Sequence, residues 1–254
     1  MCIGYNKFSL EGKNALVVCP EHNWGPDVVK GFVDAGCKVF LAGPNEDAMK
    51  AMDGVAGYYV YDHRTKAQAL AMAEAAQTAL GSIDVMVENS LHTSAQGWEQ
   101  SYQQIYSQLE TTHLGMMLTV QAVGNVMAQQ GSGSVIIMTE TGALSGYDPY
   151  NYQDAPEQFD RDFSLVKGFI YGGAINYTRQ AAGFLGENGC RCNCLVCAPR
   201  GGESGFAEAY LRHSHLKTPV TGRDVANAVM FLAADAAAHI TGIALPVDGG
   251  YCAK

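Results

Sequence analysis

Short apolar runs that alternate with helical repeats constrain this chain more than any other feature. Asn14-Ala15-Leu16-Val17-Val18-Cys19, Lys38-Val39-Phe40-Leu41-Ala42, Tyr58-Tyr59-Val60-Tyr61, Ile83-Asp84-Val85-Met86-Val87 and Ser134-Val135-Ile136-Ile137-Met138 all read as buried strands. Two more follow at about 190–197 and 243–247. Helical patterns stand between them. The first begins at Gly25-Pro26, with glycine at the cap and proline at the first helical position. Val28, Val29, Phe32 and Val33 continue it at helical spacing, and Ala35-Gly36 ends it. Others cover 101–130, about 164–187 and about 223–234. Strands that are apolar throughout, not alternating, need cover on both faces. The pattern therefore predicts an α/β fold, a doubly wound parallel sheet in a single domain spanning 1–254.

Composition limits the functions open to such a fold. A formal charge of −9 leaves no basic footprint, so neither nucleic acid nor a membrane surface is an expected partner. Hydrophobic residues at 48% against 16% charged argue against disorder, and the low charged share suggests surface covered by partner subunits. No apolar run approaches the roughly 20 residues of a membrane helix. The N-terminal stretch has no apolar core of a signal peptide. The eight cysteines lie in apolar stretches and not at framework spacing, which points to a reducing, cytoplasmic setting. Cys190, Cys192, Cys194 and Cys197 sit on one predicted strand, where core packing suits them better than metal ligation from turns. His22, His213 and His215 lack matching ligand spacing and read as solvated loop residues, and Met116-Met117 as core or subunit contact. Tyr147–Asp162 reads as a loop insertion: a lid, a docking loop or a tolerated surface addition.

Several segments, in order and spacing, resemble the short-chain dehydrogenase/reductase family over nearly the whole chain. They are Leu10–Val17, Ala35-Gly36-Cys37-Lys38-Val39, Ile83–Val87, Ser134–Ile137, Asn176–Ala182, Asp224–Leu232, Ile240-Thr241-Gly242 and Val247-Asp248-Gly249-Gly250. The resemblance implies a Rossmann-like fold and an NAD(P) site, with departures at each motif. The family's glycine-rich turn after the first strand lets backbone approach the dinucleotide phosphates. Here Cys19 and Asn23 stand at the first two glycine positions and only Gly25 remains. Trp24 adds bulk beside the approach, and Asp27 puts a carboxylate in the helix's first turn. The acidic residue expected at the end of the second strand is Gly43, followed by Pro44. Asp62 matches a residue near the adenine pocket. The Asn-Asn-Ala-Gly motif has become Glu88-Asn89-Ser90-Leu91, with Asn89 at the second position. The resemblance thus implies no ordinary dinucleotide binding in this chain.

The family's catalytic asparagine, serine, tyrosine and lysine have changed as well. The asparagine position holds Thr112 and the serine position Glu140. One alignment puts Lys167 at the tyrosine position and Tyr171 at the lysine position, inverting the motif. A second reads Phe163-Ser164-Leu165-Val166-Lys167, keeping the lysine but replacing the phenol. Lys167 and Tyr171 share a helix face. Either Lys167 lowers the pKa of Tyr171 for new chemistry with Glu140 as base, or Lys167 pairs with Glu140 in an inactive site. The chain most resembles the non-catalytic subunits of heteromeric dehydrogenases. That implies a heterotetramer with a catalytic sister chain carrying NAD, and no cofactor or metal in this one. One such assembly oxidises 2-[hydroxy(phenyl)methyl]succinyl-CoA in anaerobic toluene degradation, so a hydroxyacyl-CoA is the expected substrate of the assembly. The alternatives are an active enzyme of the same fold with repurposed chemistry, as in halohydrin dehalogenases, or a dehydrogenase with unusual cofactor contacts.

Overall fold

The structure is a computed structural model that describes residues 5–93, 97–153, 156, 163–200 and 204–253. Seven parallel strands form one sheet: β1 (Asn14–Val18), β2 (Lys38–Gly43), β3 (Gly57–Val60), β4 (Val85–Glu88), β5 (Gly133–Glu140), β6 (Cys190–Cys197) and β7 (Ala244–Val247). Their order is β3-β2-β1-β4-β5-β6-β7. The chain therefore winds outward twice from the β1–β4 pair, and the crevice at the carboxyl ends of those strands is where such sheets place ligands.

Strand alternation divides the apolar side chains between two cores. Leu16, Val18, Met86, Val135, Ile137 and Cys192 face α3 (Lys66–Leu80), α5 (Gly115–Gln130) and α6 (Lys167–Glu187). Ala15, Val17, Val39, Leu41, Val85, Val87 and Ile136 face α1 (Gly25–Asp34) and α8 (Gly222–Ala233). The cysteines of β6 are packed into these layers: Cys190 and Cys192 into the first, Cys197 into the second and Cys194 against Ile175 and Val196. Burial pushes the Cys194 thiol up to about 12. Among the described residues, no group of three or more His, Cys, Asp or Glu is placed to hold a metal. None of the described helices is long and apolar enough to cross a membrane.

Several boundaries differ from the sequence reading. The stretch 101–130 is not one regular helix: α4 (Tyr102–Leu109) passes through a π-turn at Glu110–Leu114 into α5. Thr111 and Thr112 turn their hydroxyls back onto the carbonyls of Ser107 and Gln108, a bonding pattern that bends helices. The later helix begins at Lys167 and not near 164, because Ser164 forms a parallel bridge with Gly97. Three helices escaped the periodicity: α2 (Glu46–Lys50), α3 and α7 (Ser204–His213). In α3 the buried Ala69, Met72, Ala73 and Ala76 are accompanied by half-buried Ala71, Ala75 and Ala79 and by exposed Ala67 and Leu70, which flattens the signal. Its start is marked instead by the Thr65 hydroxyl, which accepts from the Gln68 N–H at 3.3 Å.

The β1–α1 turn leaves no room for a side chain at Gly25. A Cβ there would overlap the Pro20 carbonyl oxygen and lie 2.8 Å from Asn89 Nδ2. Gly25→Ala is therefore expected to destabilise the fold by roughly 1–3 kcal/mol, the usual cost of overpacking. Thermal unfolding should show a midpoint lower by several degrees; an unchanged midpoint would contradict the packing described.

Candidate functional site

Asn89, just past β4, fixes the turn between β1 and α1. Its Nδ2 donates to the carbonyls of Cys19 at 3.0 Å and His22 at 2.8 Å. The turn is left-handed at two residues with side chains, Cys19 at φ 50° and Asn23 at φ 47°. These are the two positions where the resemblance expects glycine, so the glycine backbone persists with Cβ atoms added to it. Trp24 does not crowd the approach, contrary to the expectation from its size. Its ring is buried in the α1–α8 core, and Nε1 donates to the Ala198 carbonyl at 2.8 Å. Arg200 stacks on the Trp24 ring at 5.2 Å, pairs with Asp27 at 3.2 Å and donates to the Asn23 carbonyl.

The turn is joined directly to the expected catalytic positions. Asn23 Nδ2 donates to Glu140 Oε1 at 3.0 Å, and Lys167 Nζ stands 3.8 Å from Glu140 Oε2. Lys167 also lies 5.8 Å over the ring of Tyr171. Asn23, Glu140, Lys167 and Tyr171 thus come together, and the first three form a polar bridge across the crevice. Tyr171 is 2% exposed. Burial first, then the charge of Glu140, pushes its phenol well above the ordinary tyrosine range, against a lowering hydrogen bond from Thr93. Lys167 therefore does not make Tyr171 the acidic phenol that the rewired-pair reading requires. Thr112 is buried, and its hydroxyl donates at 2.6 Å to the Gln108 carbonyl one turn back along the chain.

Carboxyl groups crowd the crevice on its β1–β4 side. Glu88, at the end of β4, is 0% exposed; Oε1 accepts from the Ser90 N–H at 3.0 Å, and Oε2 has no hydrogen-bond partner among the described residues. Burial pushes its carboxyl up to about 7, against the lowering bonds from Ser90. Glu21 lies against the end of β2, where a Cβ on Gly43 would be 3.3 Å from its Oε2. Neither oxygen has a hydrogen-bond partner among the described residues, and burial raises its pKa too. A diphosphate needs bare backbone N–H groups and positive charge. Cβ atoms at residues 19 and 23, with carboxylates at 21, 27 and 140, are a poor match to it.

His22 and His213 differ from expectation, whereas His215 is exposed. His22 is not a solvated loop residue: its ring lies 5.0 Å from that of His92, and burial lowers the pKa of both. His63, not singled out by the sequence, packs at 3.9 Å from the Cys19 sulfur, and burial lowers it to about 4. His213 ends α7 and faces Asp148 at 3.7 Å. Asp62 is held by Arg64. Of the 147–162 insertion, residues 154–155 and 157–162 lie outside the described residues. Its first part is tied down: Asn151 Nδ2 donates to the Tyr251 hydroxyl at 2.8 Å, and that hydroxyl donates to Asp148 at 3.2 Å. Sequence spacing carries no sign of this contact, which spans about a hundred residues.

Comparison with known proteins follows the same outline. A family model described as short chain dehydrogenase matches residues 13–151, and one described as enoyl-(acyl carrier protein) reductase matches residues 166–252. D-threitol dehydrogenase of Mycolicibacterium smegmatis is 28% identical, covering 97% of this chain and 95% of its own. Borneol dehydrogenase of Lavandula x intermedia is 27% identical, covering 95% and 91%. A short chain dehydrogenase from Leptospira borgpetersenii solved with bound NAD+ superposes with a TM-score of 0.85 at 16% identity, covering 99% of this chain and 97% of that one. Levodione reductase gives a TM-score of 0.82 at 20% identity, covering 96% and 98%. The structural likenesses carry the fold alone.

Glu88 makes stability depend on pH. A carboxyl raised from 4.5 to about 7 keeps its proton in the folded chain while the unfolded chain has lost it. Stability therefore falls as pH rises through that window, by about 3 kcal/mol on linkage arithmetic. Glu88→Gln keeps the acceptor for Ser90 and is expected to flatten the dependence, raising stability at pH 8 by about 2–3 kcal/mol and little at pH 4.5. Urea midpoints at both pH values measure this; the same slope in both proteins would contradict it.

Proposed function

This chain belongs to the short-chain dehydrogenase family, and from that premise we propose that it is a non-catalytic subunit of a hetero-oligomeric dehydrogenase. The observation that carries the reading is the Asn23–Glu140–Lys167 bridge. The chain's own side chains join where a nicotinamide and a carbonyl would have to meet. A working site also needs a proton donor near neutral pH, and a buried phenol with a raised pKa beside a carboxylate is a poor one. The departures from the family pattern at Cys19, Asn23, Gly43, Thr112 and Glu140 point the same way, so NAD is proposed to act in a partner subunit and not here. The relatives named as dehydrogenases support hydride transfer as the assembly's chemistry. A hydroxyacyl-CoA such as 2-[hydroxy(phenyl)methyl]succinyl-CoA is the proposed substrate, by resemblance to such heteromeric enzymes.

Association is supported by apolar surface on the long helices. Leu114 and Met117 are exposed on the π-turn and α5, as are Phe169 and Phe184 on α6, whereas Val120, Ile170 and Ile175 are spent on the interior. Covering such surface contributes roughly 25 cal/mol per Å² before entropic costs. A sister chain of the same fold would cover it with pseudo-twofold symmetry, giving a heterotetramer. One observation favours a second reading, a dehydrogenase with unusual cofactor contacts. The Glu21 carboxylate lies at the β2 end where the family's ribose-binding acid is expected. That reading leaves the missing proton donor unexplained.

Co-expression with a catalytic sister chain is expected to yield one complex with equal amounts of both. In that complex, Tyr171→Phe on this chain should leave turnover within about twofold. Loss of an acid–base group typically costs about 10²–10⁴-fold, so a loss of that size with folding intact would mark Tyr171 as a working residue. A fully active homo-oligomer of this chain would overturn the proposal.

A further inference from the structure

We propose that the cleft between the end of β5, the start of α6 and the C-terminal tail is a binding site for a small, neutral, ring-bearing molecule with a hydroxyl or amide donor, taken up without any dinucleotide. The inference rests on the non-catalytic reading above, because a ligand held here would be bound and not turned over. The cleft has a volume of about 250 Å³. Cavities of about 150 Å³ hold a benzene ring, so one ring with a short substituent fits.

Its walls suit a planar ligand. Tyr147 stacks on Tyr152 at 5.2 Å and meets Phe163 edge-on at 5.1 Å. Tyr251 in turn stacks on Tyr210 at 4.3 Å. These four tyrosines and Phe163 all line the cleft, and aromatic walls favour offset or edge-on packing of a further ring.

The polar groups specify a donor. Asn151 lines the cleft and is 6% exposed. Its Nδ2 is committed to the Tyr251 hydroxyl at 2.8 Å, which fixes the amide and leaves Oδ1 as the other polar atom. Oδ1 has no hydrogen-bond partner among the described residues. A buried acceptor left unpaired is costly, and a ligand O–H or N–H would relieve that cost. The charges argue for a neutral molecule. Glu140 and Asp148 both line the cleft, and Lys167, the one lysine among its described lining residues, stands 3.8 Å from Glu140. An anionic ligand would face two carboxylates for one ammonium already paired.

The test uses the full-length chain, with benzyl alcohol as probe and anisole as a ring of similar size without a donor. Ligand-observed NMR and titration calorimetry are expected to show benzyl alcohol binding with a Kd of about 1 mM or tighter, the range for so few atoms. Anisole should bind about five- to tenfold more weakly, the worth of one hydrogen bond. Gly168 lines the cleft, and a Cβ on it meets nothing within 4 Å. Gly168→Leu should therefore fill the cleft and abolish binding without lowering the melting temperature, since leucine also suits the helix better. NAD+ should leave benzyl alcohol affinity unchanged. Absence of binding up to 10 mM (about tenfold above the expected Kd), undiminished binding in Gly168→Leu, or equal affinity for anisole would each overturn the assignment. Oxidation of bound benzyl alcohol in the presence of NAD+ would instead overturn the non-catalytic reading.

Discussion

The two hydrogen bonds from Asn89 to the carbonyls of Cys19 and His22 hold the crevice in its shape. They pin a turn that runs left-handed at Cys19 and Asn23, a conformation that costs residues with a Cβ about 1–2 kcal/mol each. The turn persists because its carbonyls are satisfied by Asn89, its indole is anchored on Ala198 and its missing side chain at Gly25 allows close packing. Once the turn is set, the Asn23 amide reaches Glu140 and the Arg200 guanidinium reaches the Asn23 carbonyl. The geometry of a dinucleotide fold is kept, while the groups that line it serve each other.

Charge follows from the same arrangement. Glu21, Asp27, Glu88 and Glu140 all lie at or near the carboxyl ends of the central strands. Arg200 answers Asp27 and Lys167 answers Glu140. Glu88 is neutral over much of the pH range, because burial raises its pKa to about 7. Burial raises Glu21 as well. The crevice thus meets its electrostatic cost by internal pairing and, at Glu88, by protonation. A bound phosphate would have to disrupt the first and would gain nothing from the second.

The strands and their two-sided cover could be read from the apolar runs, since a parallel strand buried on both faces leaves a continuous signature. Helix α3 could not: half-buried alanines around the helix and the exposed Leu70 erase the periodicity that burial of Met72 and Leu80 would otherwise produce. The positions of Cys19, Asn23, Glu140 and Lys167 followed from the family resemblance, yet the joining of Asn23, Glu140 and Lys167 in one bridge depends on the β1–α1 turn, β5 and α6 meeting in space. Trp24 shows the limit most plainly. Its size suggested obstruction, but its indole N–H found a carbonyl 174 residues away and turned the ring inward. His22 likewise gains its surroundings from His92, and Asn151 from Tyr251, through contacts that no local pattern records.

Calorimetric titration of NADH and NADPH into the purified chain tests most directly whether this crevice has ceased to be a cofactor site. With Cβ atoms on the turn, carboxylates around it and the Asn23–Glu140–Lys167 bridge across it, binding is expected to be weaker than about 10 μM, or about −7 kcal/mol. Saturable binding of either nucleotide tighter than that would contradict the account.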